Sequence, residues 1–118
     1  MSHTITVYGI SNCDTVKRAR NWLDTAGIVY LFHDYRKQGL DINALNQWVD
    51  KLGWQTLLNK RGTTWRQLPE AKKATLDRHA AIEIMLQNPA IIKRPLLDSN
   101  GQLQLGFSDA QYQALFAR

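Results

Sequence analysis

The sequence predicts an α/β fold in which a β-α-β half and a β-β-α half are separated by a helical insertion. Three observations carry that expectation. Thr4-Ile5-Thr6-Val7-Tyr8 alternates and is rich in β-branched residues, the pattern of a strand. Val16, Ala19, Leu23 and Ala26 then recur at helical spacing and lead to the apolar run Ile28-Val29-Tyr30-Leu31-Phe32, short enough for a buried strand. Further on, Leu96-Leu97 and Leu103-Gln104-Leu105 flank a segment containing Asn100-Gly101, and Asn-Gly between apolar runs is a strong hairpin signal.

The elements between these anchors follow from their punctuation. The first helix begins at Cys13, runs for about fifteen residues and ends at Gly27, a C-cap residue. A strand, such a helix and a second buried strand make a βαβ unit with parallel strands and a right-handed crossover. Asp41 caps the next helix, with Leu40 and Leu45 spaced as a hydrophobic staple. Ile42, Leu45, Trp48, Val49 and Leu52 form its apolar stripe, and Gly53 ends it. An irregular basic stretch, Leu58 to Arg66, precedes Pro69, which suits the first turn of a further helical segment. Leu76, Ala80, Ile84 and Met85 continue that pattern until Asn88-Pro89 stops it. Ser108 with Gln111 makes a capping box and Phe107 with Tyr112 a staple, opening a last helix marked by Tyr112, Leu115 and Phe116. With no repeat, low-complexity segment or linker, residues 1–118 read as one domain, its helical insertion spanning roughly 41–90. The order is that of a thioredoxin-like core with an insertion between its halves.

Composition narrows the function classes. Hydrophobic residues make up 44% and charged residues 21%, values of an ordinary globular protein. No apolar stretch approaches the ~20 residues of a membrane helix. Met1-Ser2-His3-Thr4 shows no basic region followed by an apolar one, so a cytoplasmic protein without a secretory signal or membrane partner is expected. The single cysteine cannot form an internal disulfide and fits a reducing compartment. The net charge of +5 is concentrated in Lys60, Arg61, Arg66, Lys72, Lys73, Arg78, Lys93 and Arg94. That segment is either a solvated face or an anion site. Nucleic acid is disfavoured as a partner, because Glu70, Asp77 and Glu83 interrupt the charge and no nucleic-acid motif is present.

Cys13 carries the clearest chemical signal. It follows the first strand and the polar turn Ser11-Asn12, at the start of the first helix. Helix starts present unpaired N–H groups and a partial positive charge, which stabilise a thiolate. The N–H groups of Asp14 and Thr15, and the side chains of Asn12 and Thr15, are candidate donors. The Asp14 carboxylate opposes a thiolate, and Lys17 and Arg18 one turn along offset it. The alternative is an inert, buried structural cysteine. Val16 stands where a Cys-x-x-Cys motif has its second thiol. A dithiol cycle within the chain is therefore excluded, and a mixed disulfide on Cys13 needs an outside thiol to resolve it. Arg61 and Arg94 are candidate oxyanion or carboxylate ligands. On spacing alone Pro95 is either a cis-proline beside the thiol or a trans residue that only starts a strand, and Arg94 either faces the site or is solvated. No metal site is read in the sequence.

Three motifs in order, Gly9-Ile10-Ser11-Asn12-Cys13-Asp14-Thr15-Val16-Lys17, Asn59-Lys60-Arg61-Gly62-Thr63-Thr64-Trp65-Arg66 and Asn88-Pro89-Ala90-Ile91-Ile92-Lys93-Arg94-Pro95, resemble the ArsC/Spx family, and within it the YffB-type branch. The resemblance spans nearly the whole chain. It implies a thioredoxin-like core with a helical insertion, Cys13 as the active thiol, Arg61 and Arg94 facing it, and Pro95 in the cis form. Three departures matter. The family's glutaredoxin-coupled arsenate reductases use a third arginine after the Arg-Pro pair, and here none occurs between Pro95 and Ala117; they also carry a histidine where this chain has Gly9. An arsenate cradle is thus incomplete. Spx-type regulators usually carry a Cys-x-x-Cys switch, absent here. The resulting expectation is a monomeric, glutathione-dependent monothiol reductase with no bound cofactor, acting on an oxidised thiol or an oxyanion with glutathione as co-substrate. The alternatives are an arsenate reductase and a non-catalytic regulator that binds RNA polymerase.

Overall fold

A computed structural model of the chain describes residues 4–117. Four strands form one sheet in the order β2-β1-β3-β4. β1 (Ile5–Gly9) and β2 (Leu31–Asp34) are parallel, joined by α1 (Asp14–Thr25). β3 (Leu96–Ser99) runs antiparallel to β1, and β4 (Gln102–Leu105) antiparallel to β3, before α8 (Asp109–Leu115). This is the expected α/β fold with a thioredoxin-like strand order. Two compact units divide the described chain: residues 4–37 with 94–117, and Gln38–Lys93.

The first unit is built on the period of two in β1. Val7 points to one face and meets Ala19 and Leu23 of α1, Leu97 of β3 and Tyr112 of α8, all fully buried. Trp22, Phe107, Tyr112 and Phe116 close this core with edge-to-face and stacked contacts, Phe107 and Tyr112 being 4.7 Å apart at 90°. That pair is the staple read in the sequence. Its companion cap also forms, since the Gln111 N–H donates to Ser108 Oγ over 3.1 Å. The hairpin turn is Asn100-Gly101, with φ of 56° and 93°, the left-handed pair that a two-residue hairpin requires.

The second unit is helical: α2 (Tyr35–Gln38) leads into it, and it holds α3 (Ile42–Leu52), α4 (Trp54–Leu57), α5 (Thr63–Arg66), α6 (Glu70–Ala74), α7 (Arg78–Gln87) and a 3-10 turn, Pro89–Ile91. α3 buries Leu45, Trp48 and Val49 and packs on α4 and α7. Asp41 caps α3, accepting from the Asn43 N–H over 3.4 Å, and Gly53 ends it at φ 86°. The segments 57–59 and 91–93 are sutured by Asn59 N–H to Ile91 O, by Lys93 N–H to Leu57 O, each 2.8 Å, and by an antiparallel bridge between Leu58 and Ile92.

Four sequence expectations need correction. The second strand is Leu31–Asp34, not 28–32, and it is an edge strand: Val29 is 88% and Leu31 63% exposed. Ile28, Tyr30 and Phe32 turn to the core, but the outward residues are apolar too, so the alternation is invisible in the sequence. Helix α1 is 12 residues, with Cys13 as its N-cap and Ala26 as an exposed C-cap before Gly27 at φ 71°. Ile42 leaves the α3 stripe and is 49% exposed. The helical pattern after Pro69 is broken at Thr75–Asp77, because the Asp77 carboxylate accepts from the Ala80 N–H (2.8 Å) and starts a new helix.

Candidate active site

The register of the sheet determines what surrounds Cys13. In the parallel pair, Gly9 faces Asp34; in the antiparallel pair, Tyr8 faces Leu96. Continuing those registers past the end of β1 brings the turn Ile10–Cys13 beside the end of β2 on one side and beside Arg94-Pro95 on the other. The Arg94-Pro95 peptide bond is cis. Pro95 is buried, and its carbonyl accepts from the Gly106 N–H at 2.8 Å, which ties the peptide to the hairpin.

Cys13 is half-buried and extended, with φ −95° and ψ 125°, the backbone of an N-cap. Its carbonyl accepts from the Lys17 N–H (3.0 Å) and its N–H donates to Ile10 O (3.2 Å), so the turn closes on itself. Gly9 permits the close approach of strand and helix: a Cβ there would lie 2.8 Å from Val16 Cγ2.

Burial pushes the Cys13 thiol up. The Val16 N–H, the Arg94 guanidinium acting by hydrogen bond and by charge, and the Thr15 N–H outweigh that, so its pKa lies below the ordinary thiol value. The sulfur makes no tight capping bond, and the backbone acts through the aligned N–H dipoles of the first turn. The active donors are thus one residue further along than Asp14 and Thr15. Asp14 is the exposed first residue of the helix, Asn12 is exposed and Thr15 half-buried.

Arg94 is half-buried and acts on Cys13. Arg61 belongs to the second unit and is exposed. Its backbone is held by Asn59 Oδ1, which accepts its N–H at 3.1 Å, and by Arg66, whose Nη2 donates to the Arg61 carbonyl at 2.8 Å. With Gln55, Leu58, Asn59, Lys60 and Lys93 it lines an open groove of about 440 Å³.

Asp34 is missing from the sequence reading. It is the last residue of β2, after His33, where an acid looks like a solvent-facing strand end. It is instead the buried charged residue of the described chain, 5% exposed. Burial pushes its carboxyl up, but the N–H groups of Arg36, Ser11 and Lys37 and the Ser11 hydroxyl together hold its pKa below the ordinary value. Among the described residues no three His, Cys, Asp or Glu side chains gather as a metal site, and no helix is long and apolar enough to cross a membrane.

Known proteins carry the same plan. An uncharacterized protein of Haemophilus influenzae is 50% identical over 113 residues, 96% of this chain and 99% of that one. The solved structure of a YFFB protein matches with a TM-score of 0.92 at 49% identity, covering 97% of this chain and all of the other. An arsenate reductase (ArsC) related protein from Brucella melitensis matches at 0.78 and 48%, covering 98% and 96%. The global transcriptional regulator Spx 2 of Oceanobacillus iheyensis is 24% identical over 98% of this chain and 85% of its own length. The sequence model of the ArsC family matches residues 8–115, from the strand that leads to Cys13 to the end of the last helix, and the chain belongs to that family.

Proposed function

We propose that the protein is a monothiol reductase that works through a mixed disulfide on Cys13 and uses glutathione as its reductant. The observation that carries the reading is the Cys13 thiol at the start of α1, its pKa lowered by the Val16 and Thr15 N–H groups and by Arg94, in a chain with no second cysteine. The Cys13 thiolate attacks one sulfur of a substrate disulfide; a Cys13–substrate disulfide forms and the other half leaves as a thiolate. A glutathione thiolate then attacks the substrate sulfur, forms a glutathione–substrate disulfide and releases Cys13 as thiolate. A second glutathione thiolate attacks that mixed disulfide, releasing the other substrate thiolate and glutathione disulfide; the two electrons come from the two glutathiones, and solvent supplies the protons to the departing thiolates. Arg94, and by the family resemblance Arg61, serve as ligands for an anionic substrate or for a glutathione carboxylate. Asn12, Asp14 and Thr15 shape the thiol's approach, and peptide backbone at Pro95 pairs with the extended tripeptide.

Mass spectrometry after oxidised glutathione tests this. The expected result is one glutathione adduct on Cys13, removed by reduced glutathione and formed more slowly in Arg61→Ala and Arg94→Ala. No adduct, and no dependence on either arginine, would refute it. The Brucella melitensis relative, described as arsenate reductase related, supports arsenate reduction as the second reading. Robust turnover of arsenate with glutathione and glutaredoxin would establish it and show that two arginines suffice. The Spx relative supports a non-catalytic regulator; an RNA polymerase retained by Cys13→Ser in a pull-down would favour that over catalysis.

A further inference from the structure

We propose that Asp34 is a positioning residue for Cys13, its carboxylate holding the thiol-bearing turn with one oxygen and the start of α2 with the other. Asp34 Oδ1 accepts from the N–H groups of Arg36 (2.8 Å) and Lys37 (3.3 Å). Asp34 Oδ2 accepts from the Ser11 N–H over 3.2 Å, and the Ser11 hydroxyl also bonds the carboxylate. Ser11 is two residues before the thiol, in the turn that Cys13 N–H and Ile10 O close. β1 and α1 fix the ends of that turn, and Asp34 fixes its middle.

The residue type is informative. A buried carboxylate is costly unless its oxygens are satisfied, so an apolar or small residue would be expected here if packing were the only demand. A carboxylate is acceptor-only on both oxygens and can serve two separate sets of N–H groups. Asparagine cannot, because its NH₂ would face one of them. The sulfur gains from the Val16 and Thr15 N–H groups and from Arg94 only at the right distance and direction. A turn released from Asp34 moves the sulfur relative to all three.

The inference rests on Cys13 being the reactive thiol. Its test is the pH dependence of Cys13 alkylation by iodoacetamide, which needs neither glutathione nor substrate, in wild type, Asp34→Asn and Ser11→Ala. Circular dichroism and thermal melting report whether each variant is folded. Asp34→Asn is expected to move the midpoint up and lower the alkylation rate near neutral pH by about 3- to 10-fold, half to one pKa unit. Ser11→Ala, which loses only the hydroxyl, is expected to shift the same way by less. Deleting a negative charge acts in the opposite sense and moves a thiol midpoint down, so the direction separates positioning from charge. A folded Asp34→Asn with an unchanged or lowered midpoint overturns the inference. If Asp34→Asn does not fold, the Ser11→Ala profile decides: an upward shift supports it and an unchanged or lowered one overturns it. A wild-type thiol that titrates at the ordinary value would instead sink the reading of Cys13 itself.

Discussion

Replacing Gly9 by alanine tests how closely the strand and the thiol-bearing helix are packed. Gly9 is buried and its φ is not positive, so alanine suits the backbone and any penalty is steric. The new Cβ would stand 2.8 Å from Val16 Cγ2, 3.4 Å from Cγ1 and 3.7 Å from Cβ. Carbon atoms in contact settle at about 3.5–4.0 Å, so something must give by more than half an ångström. Val16 cannot simply rotate away. Both its methyls already face Gly9, and a β-branched side chain on a helix has essentially one χ1 well. The first turn of α1 must therefore move. Overpacking of this kind costs about 1–3 kcal/mol. For a chain of this size that is a fall of roughly 4–12 °C in melting temperature.

The displaced turn carries the Val16 and Thr15 N–H groups, so the Cys13 midpoint should rise in the same variant. A double-mutant cycle isolates the contact. Val16→Ala alone removes two buried methyls and costs about 1.5–3 kcal/mol. Combined with Gly9→Ala, the added methyl occupies part of the space vacated. The double variant should then be more stable than the sum of the singles predicts, by at least about 1 kcal/mol. Thermal melting and urea unfolding measure the cycle, and alkylation kinetics the thiol. Singles that add within about 0.5 kcal/mol, or a Gly9→Ala protein with unchanged melting, would refute the steric argument.

Two further predictions concern the charge around the sulfur. Arg94→Ala removes a hydrogen bond and a positive charge from Cys13, so the thiolate absorbance near 240 nm should appear at higher pH, closer to the ordinary thiol value of about 8.5. Arg94→Lys, which keeps the charge, should shift it less, and an unmoved Arg94→Ala titration would remove Arg94 from the site. The second follows from linkage: the folded Cys13 pKa is depressed, so the thiolate favours the folded state. The stability of wild type over Cys13→Ser should be flat below the folded thiol pKa, grow with pH up to the unfolded value of about 8.5, and level off above it; a difference independent of pH would contradict the lowered pKa.

What the sequence revealed and what it hid differ by kind of interaction. Caps and turns are local, so Ser108 with Gln111, Asp41 with its helix, and Asn100-Gly101 are legible from a few neighbouring residues. The helix start at Cys13 is legible for the same reason. The exposed edge of β2 is not, because an edge strand is defined by a neighbour it lacks, and Val29 and Leu31 are as apolar as their inward companions. Asp34 is hidden because its role depends on Ser11, 23 residues away in sequence. The α6–α7 break was available in Asp77, an acid ahead of Ala80-Ala81-Ile82, but the apolar spacing continues across it. The donor set at the sulfur shifted by one residue because the N–H groups that face an N-cap side chain are the second and third of its helix, here Thr15 and Val16.

Val16 also decides what kind of redox cycle these residues can support. The second sulfur of a Cys-x-x-Cys pair would occupy its position, three residues after Cys13. Val16 is fully buried, and its methyls lie where a Cβ on Gly9 would collide. The position is a packing site that locks the helix onto β1, and its side chain carries no sulfur that could close a disulfide with Cys13. Cys13, by contrast, is only half-buried, so solvent reaches part of the residue. An attacking thiolate is an anion, and it would approach a sulfur beside which Arg94 supplies a positive charge. That combination, a closed position for an internal thiol and an open, cationic approach for an external one, is why we read the thiol as resolved by a small soluble thiol rather than by the chain itself.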